Sequence, residues 1–226
     1  MTGGARRLIV AIDGPAGAGK STLARALARA LGYTYVDSGA MYRVVGLAAR
    51  ARGIDPADGA AVAELLDGLD FALRPAPEGQ RVLLDGRDVT DELRTPAAGE
   101  WASRVAALPE VRQRLVERQR RLGEAGGVVM DGRDIGTVVF PGADCKFYVT
   151  ASAAERARRR AREIGAPASD LPEIQRDIEA RDRRDSERVH APLRAAADME
   201  TIDTTGLTAD EAVGRVLARV TERAKA

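Results

Sequence analysis

Residues 14 to 21 read Gly14-Pro15-Ala16-Gly17-Ala18-Gly19-Lys20-Ser21, the G-x-x-x-x-G-K-[ST] spacing of a phosphate-binding loop. Each residue type has a chemical reason to be there. Glycines at 14, 17 and 19 admit backbone conformations barred to residues with a Cβ, so successive N–H groups can converge on an anion. A helix beginning near Lys20 adds the positive end of its dipole. Lys20 offers a mobile charge to β- and γ-phosphates, and Ser21 offers a hydroxyl to Mg2+. The loop implies a nucleotide without fixing a reaction. Guanine-binding switches use an Asn-Lys-x-Asp signature, and this chain contains no asparagine. Its length favours a small-substrate kinase over a motor or a helicase.

Asp-Gly-Arg-Asp occurs twice, at Asp85–Asp88 and at Asp131–Asp134. The first follows Leu83-Leu84 in a stretch broken by Pro75, Pro77 and Gly79, where Asp-Gly is an ordinary hairpin turn. The second follows Val128-Val129-Met130, which reads as a strand of a parallel sheet. Ligands of open α/β sheets sit beyond the carboxyl ends of the strands, the edge that also presents a phosphate loop. There Asp131 could accept from a Mg2+-bound water, Arg133 could fork onto phosphate oxygens, and Asp134 could accept from an exocyclic amine. A third candidate is Asp37-Ser38-Gly-Ala-Met-Tyr-Arg43. Its Asp37 or Ser38 could simply cap a helix, while Arg43 lies on that helix's first turns.

The elements that would position these residues alternate in type. Strands are expected over Leu8–Ile12, Tyr33–Val36, Val128–Asp131, Cys145–Val149 and Met199–Asp203. Helices are expected over Leu23–Leu31, where leucine recurs every fourth residue, over 40–52, and over 96–124. Gly32 suits a C-terminal cap. Ser152/Glu155 and Thr208/Glu211 have capping-box spacing ahead of two more helices. Alternation of this kind predicts an α/β fold with a parallel five-stranded sheet and right-handed crossovers. Residues from Phe71 to Val89 read instead as a small antiparallel insert. Between Glu155 and Arg188 there are ten arginines and nine acids, so the bland expectation is a pair of solvated, salt-bridged helices.

Composition narrows the classes further. The formal charge is +1, so no overall field recruits nucleic acid or an anionic membrane. Arginine supplies nearly all the positive charge, with lysine only at 20, 146 and 225. One cysteine, Cys145, and one histidine, His190, make a disulfide, a Cys-cluster zinc site or a His-based triad improbable. No apolar run reaches bilayer length and no signal-type region precedes Leu8, so the expectation is a cytoplasmic protein and, without coiled-coil heptads, a monomer.

Together the phosphate loop, Val36–Arg43, Asp131-Gly-Arg-Asp-Ile-Gly-Thr-Val-Val-Phe-Pro141 and Arg181-Asp-Arg-Arg-Asp185 through Arg188 to Leu193 resemble bacterial-type cytidylate kinase over nearly the whole chain. The resemblance implies a phosphate-loop NTPase-type sheet with helices on both faces, as a core at 5–62, 97–154 and 190–226. It also implies a monophosphate-binding insert at 63–96 and a helical lid at 155–189. The activity implied is transfer from ATP, with Mg2+, to CMP and dCMP. Residues Gly14 to Thr22 would hold ATP, with Arg156, Arg159 and Arg160 as further phosphate ligands, and Ser21 and Asp131 would serve the metal. Arg43 and Arg133 would hold the acceptor phosphate. Ser38, Arg112, Asp134 and Arg188 would surround cytosine, and Ser103, Arg181 and Asp185 would contact the ribose. Lys20, Arg133, Arg181 and Asp131 would be catalytic. The rivals are a kinase for another nucleoside monophosphate or small acceptor, and a non-catalytic ATP-binding module.

Overall fold

The computed structural model describes residues 7–77 and 79–225. The expected core boundaries at residues 5 and 226 therefore lie outside the described residues. In chain order the elements begin with Ile9–Asp13 (β1), Lys20–Leu31 (α1), Thr34–Asp37 (β2), Ser38–Ala51 (α2) and Gly59–Asp67 (α3). Phe71–Ala76 (β3), Gly79–Leu84 (β4), Arg87–Asp88 (β5), Pro96–Val105 (α4) and Pro109–Gly123 (α5) follow. Val128–Gly132 (β6), Cys145–Thr150 (β7), Ala153–Ile164 (α6), Leu171–Ser186 (α7), Glu200–Asp203 (β8) and Ala209–Lys225 (α8) complete the chain. The described residues form two compact units, one within Met1–Thr34 and Ala125–Ala226, the other within Tyr35–Glu124. Among the described residues no helix is long and apolar enough to cross a membrane.

A parallel five-stranded sheet runs in the order β2-β6-β1-β7-β8. β1 lies between β6 and β7, and Val10, Ala11 and Ile12 are fully buried. That two-sided burial is why the strand is an unbroken apolar run rather than an alternating one. The register pairs Ile12 with Asp131 and Asp13 with Gly132, so Asp13 and Asp131 lie at one edge of the sheet. On α1 the buried residues are Lys20, Leu23, Ala24, Leu27 and Ala28, and the helix packs on β6 and α8. Gly32 ends it at φ 65°, donating to the carbonyls of Ala28 and Arg29. α8 opens with the full capping box, since Glu211 N donates to Thr208 Oγ1 and Glu211 Oε2 accepts from Thr208 N. At α6 only half the box forms. Ser152 Oγ caps Glu155 N, while the Glu155 carboxylate turns to Arg158 and Arg159.

In the second unit α2 lies close against α4, where a Cβ on Gly46 would come within 2.9 Å of Trp101 Cβ. Val45, Leu66, Val105 and Leu115 form a buried core with them. The antiparallel sheet β3-β4-β5 forms inside the expected insert. Asp85 and Gly86 both have positive φ, 50° and 77°, which is the geometry of a type I′ hairpin turn. The first Asp-Gly-Arg-Asp is therefore a turn. Two expectations needed revision here. The single helix expected over 96–124 is two, because Leu108 is extended ahead of Pro109, which starts α5. α3 was not anticipated, although Asp58 caps it and Val62, Ala63 and Leu66 are buried.

Gly14 and Gly32 separate space from backbone conformation. At Gly14 φ is 147° and a Cβ would sit 1.9 Å from the Val149 carbonyl oxygen, whereas nothing lies within 4 Å at Gly32. Gly14→Ala should lower the unfolding free energy by more than about 3 kcal/mol, and Gly32→Ala by about 1 kcal/mol. Urea denaturation of both variants checks this; equal losses would contradict it.

Candidate phosphoryl-transfer site

The loop between β1 and α1 is braced from three sides within its own unit. Thr204 Oγ1 donates to Ala18 O at 3.1 Å, Arg156 Nη1 to Ala16 O at 3.1 Å, and Lys20 Nζ to Pro15 O at 2.7 Å. Gly17 and Gly19 hold φ of 74° and 88°. Gly19 caps α1 without a side-chain hydrogen bond, leaving the first-turn N–H groups to the loop's concavity. Thr22 is exposed.

The second Asp-Gly-Arg-Asp meets this loop. Ser21 Oγ donates to Asp131 Oδ2 at 2.9 Å, across 110 positions of sequence. Arg133 Nε donates to Asp185 Oδ2 at 2.9 Å, and Arg188 donates to the other oxygen of the same carboxylate. Asp185 is 1% exposed. Burial opposes ionisation of Asp185, yet Arg133, Arg188 and Arg181 together hold its carboxyl below the usual range. Burial likewise opposes the Arg133 charge, and Asp185 with Asp131 more than restores it.

Lys20 is the electrostatic focus. Burial pushes its pKa down to about 7, Arg133 and Arg181 push in the same direction, and Asp131 and Asp13 pull it back. A buried ammonium among arginines is a site that gains from a polyanion.

Not every expected ligand joins this cluster. Arg156 donates to Ala151 O, Ala16 O and Asp182. Arg159 donates to Glu155 and to both oxygens of Thr204, while Arg160 turns to Glu163 at 2.9 Å. The acid-arginine pairing expected of this segment is present, but several of its partners lie outside it, on the loop and on β8's exit.

Ser38, Arg43, Ser103 and Arg112 belong to the second unit. Asp37, not Ser38, caps α2, accepting from Ala40 N at 2.9 Å. Ser38, Ser103 and Arg112 are all buried. Arg112 lies 6.0 Å over the Tyr42 ring and donates to Ala106 O at 3.4 Å.

Sequence reasoning passed over Asp13 and Thr204. Both stand at the carboxyl end of a sheet strand, the signal that singled out Asp131. Asp13 is fully buried and accepts from Ile135 N and Gly136 N, each at 2.8 Å. Burial raises its carboxyl to about 6, against the pull of those two N–H groups.

Residues 10–222 match the family model described as cytidylate kinase. A protein of Symbiobacterium thermophilum named cytidylate kinase is 51% identical over 220 residues, covering 96% of this chain and 97% of that one. Another of that name, from Geobacillus kaustophilus, is 51% identical over 221 residues, covering 96% and 98%. A solved structure of an uncharacterized protein from Eubacterium ventriosum is alike in fold, with TM-score 0.52 at 9% identity over 95% of this chain and 99% of its own.

The raised Asp13 carboxyl gives a pH signature. This group supports the fold below about pH 3.8, and the support is lost as pH rises through about 6. Wild type should therefore lose about 2 kcal/mol relative to Asp13→Asn between about pH 4.5 and 7.5 in urea unfolding. Parallel profiles would contradict the shift.

Proposed function

This chain belongs to the cytidylate kinase family, and from that premise we propose that its phosphate loop and Asp131–Asp134 together align ATP and CMP for direct in-line transfer. It is a phosphotransferase that carries the γ-phosphoryl of ATP to CMP, giving ADP and CDP. The observation that carries the geometric reading is the Ser21–Asp131 hydrogen bond, beside a Lys20 whose charge Arg133 and Arg181 disfavour.

Both reactants are polyanions, so the obstacle is like-charge repulsion rather than bond chemistry. In this reading Lys20 takes the β- and γ-phosphates of ATP held over Gly14–Thr22. Arg133 and Arg181 stabilise the moving phosphoryl, and Arg43 joins Arg133 on the acceptor phosphate. Arginine suits the task because it stays charged and presents a fixed fork of donors. The Arg133–Asp185–Arg188 group keeps two cations gathered before substrate arrives. Arg156, Arg159 and Arg160 serve the ATP side, the first two by bracing the loop and β8's exit. The segment 155–189 acts as a lid that excludes water, and 63–96 as the monophosphate-binding insert.

Among the described residues no cluster of three or more acids, histidines or cysteines could cage a metal. Ser21 Oγ and Asp131 Oδ2, two hard oxygens 2.9 Å apart, fit a cation that takes most of its ligands from phosphate and water. Mg2+ bound there supplies charge neutralisation on the phosphates. The same reading takes CMP and dCMP alike as acceptors, and a cytoplasmic monomer acting on small molecules.

Base choice rests on Asp134, with Ser38, Arg112 and Arg188 around the ring and Ser103, Arg181 and Asp185 at the ribose. Cytosine offers an amine where uracil offers a carbonyl, so a carboxylate satisfies one and repels the other. Asp134→Ala should reduce kcat/KM for CMP by about 100-fold or more and abolish the preference over UMP. An ADP-release assay across CMP, dCMP, UMP and AMP measures this. Equal losses for CMP and UMP would remove Asp134 from base reading, and a wild-type preference for AMP would remove CMP as the substrate.

A further inference from the structure

Asp13 stands immediately before Gly14, at the end of β1. Its two carboxylate oxygens accept from the two consecutive amides that follow Asp134, those of Ile135 and Gly136, at 2.8 Å each. At this point the backbone leaves the sheet. The β1–β6 register ends at Asp13 and Gly132, and beyond it the chain winds into a wide turn, with Phe140 N donating to Ile135 O at 2.7 Å and Val139 N to Asp134 O at 3.2 Å. Arg133 and Asp134 therefore occupy a short bridge between the last ladder pair and the amides that Asp13 grips. A buried carboxylate is a costly way to tie down a turn, because burial disfavours its charge. Its location suggests what the cost secures.

We propose that Asp13 is a positioning residue for the acceptor half of the reaction: by gripping the amides of Ile135 and Gly136 it fixes Arg133 and Asp134 against the phosphate loop. This rests on the reading that those two residues handle CMP. ATP binding has separate supports, since the loop is braced through Ala16, Ala18 and Pro15 by Arg156, Thr204 and Lys20. Asp13 also sustains the Lys20 charge, but less than Asp131 does, so loss of its grip falls mainly on CMP. A displacement of about 1 Å at a reacting centre costs about 100-fold in rate.

Asp13→Asn keeps the side-chain volume and removes a buried charge, while its amide NH2 now faces one of the two N–H groups. The expected result is a fall of about 30- to 100-fold in kcat/KM for CMP, with the ATP dissociation constant within about threefold of wild type. Faster hydrogen exchange at the Ile135 and Gly136 amides should accompany it. Asp13→Thr, with one acceptor oxygen, should give the same split should Asp13→Asn fail to fold. Equal losses for both nucleotides, or a lowered melting temperature with unchanged kinetics per folded molecule, would overturn the proposal. Arg133→Ala and Asp134→Ala, measured in parallel, separate the two ideas. If they impair CMP use and Asp13→Asn does not, positioning alone is wrong; if they spare CMP, the reading of the site fails and the role of Asp13 with it.

Discussion

The hydrogen bond from Ser21 Oγ to Asp131 Oδ2 joins the helix that carries the phosphate loop to the end of the neighbouring strand. It can form only because β1 and β6 are parallel and in register to their last residues, which delivers the loop and Asp131 to one edge of the sheet. The glycines serve the same constraint. Gly14 passes so close to the Val149 carbonyl that no side chain fits, and this lets the loop turn directly off β1. From that edge the remaining chemistry follows: a lysine at the start of α1, an arginine two residues past Asp131, and a carboxylate from α7 that holds the arginine in place.

The cluster around Lys20 is an unfavourable arrangement kept tolerable by its acids. Lys20 is depressed by its own burial first and also by Arg133 and Arg181, while Asp131 and Asp13 oppose this. Asp185 takes both Arg133 and Arg188, and Asp182 takes Arg156. Carboxylates thus offset these buried cations, and in the proposed reading a polyanionic ligand would complete the charge balance. Such sites trade folding stability for electrostatic preorganisation, since fixed charges need no reorganisation when charge moves in the transition state. The choice of arginine over lysine is consistent with burial, because burial pushes Lys20 down toward neutral pH while Arg133 keeps its charge.

Much of this was legible in the sequence because local rules and global fold agree. The phosphate loop, the second Asp-Gly-Arg-Asp and the strands ending in acids are contiguous strings, so their meaning does not depend on distant partners. The first Asp-Gly-Arg-Asp was legible for the same reason, as a hairpin turn. What stayed hidden was long-range. Nothing near Asp13 announces that its carboxylate reaches two amides more than 120 positions away. Thr204 sits after a short strand and discloses its role only through the carbonyls of Ala18 and Thr150. Arg156 and Arg159 read as part of a solvated, salt-bridged run or, by resemblance, as phosphate ligands, yet each is also committed to protein acceptors from other elements. α3 was missed for a simpler reason: a nine-residue helix offers too few turns for its periodicity to stand out, and its signal was the Asp58 cap.

In the proposed mechanism Lys20 and Arg133 act on one and the same phosphoryl group. Single-turnover transfer from ATP to CMP, measured for Lys20→Ala, Arg133→Ala and the double variant, addresses it directly. The account predicts strong non-additivity, with the double variant at least about tenfold faster than the product of the two single losses implies. Losses that simply multiply would mean the two residues act independently, and the shared site would be contradicted.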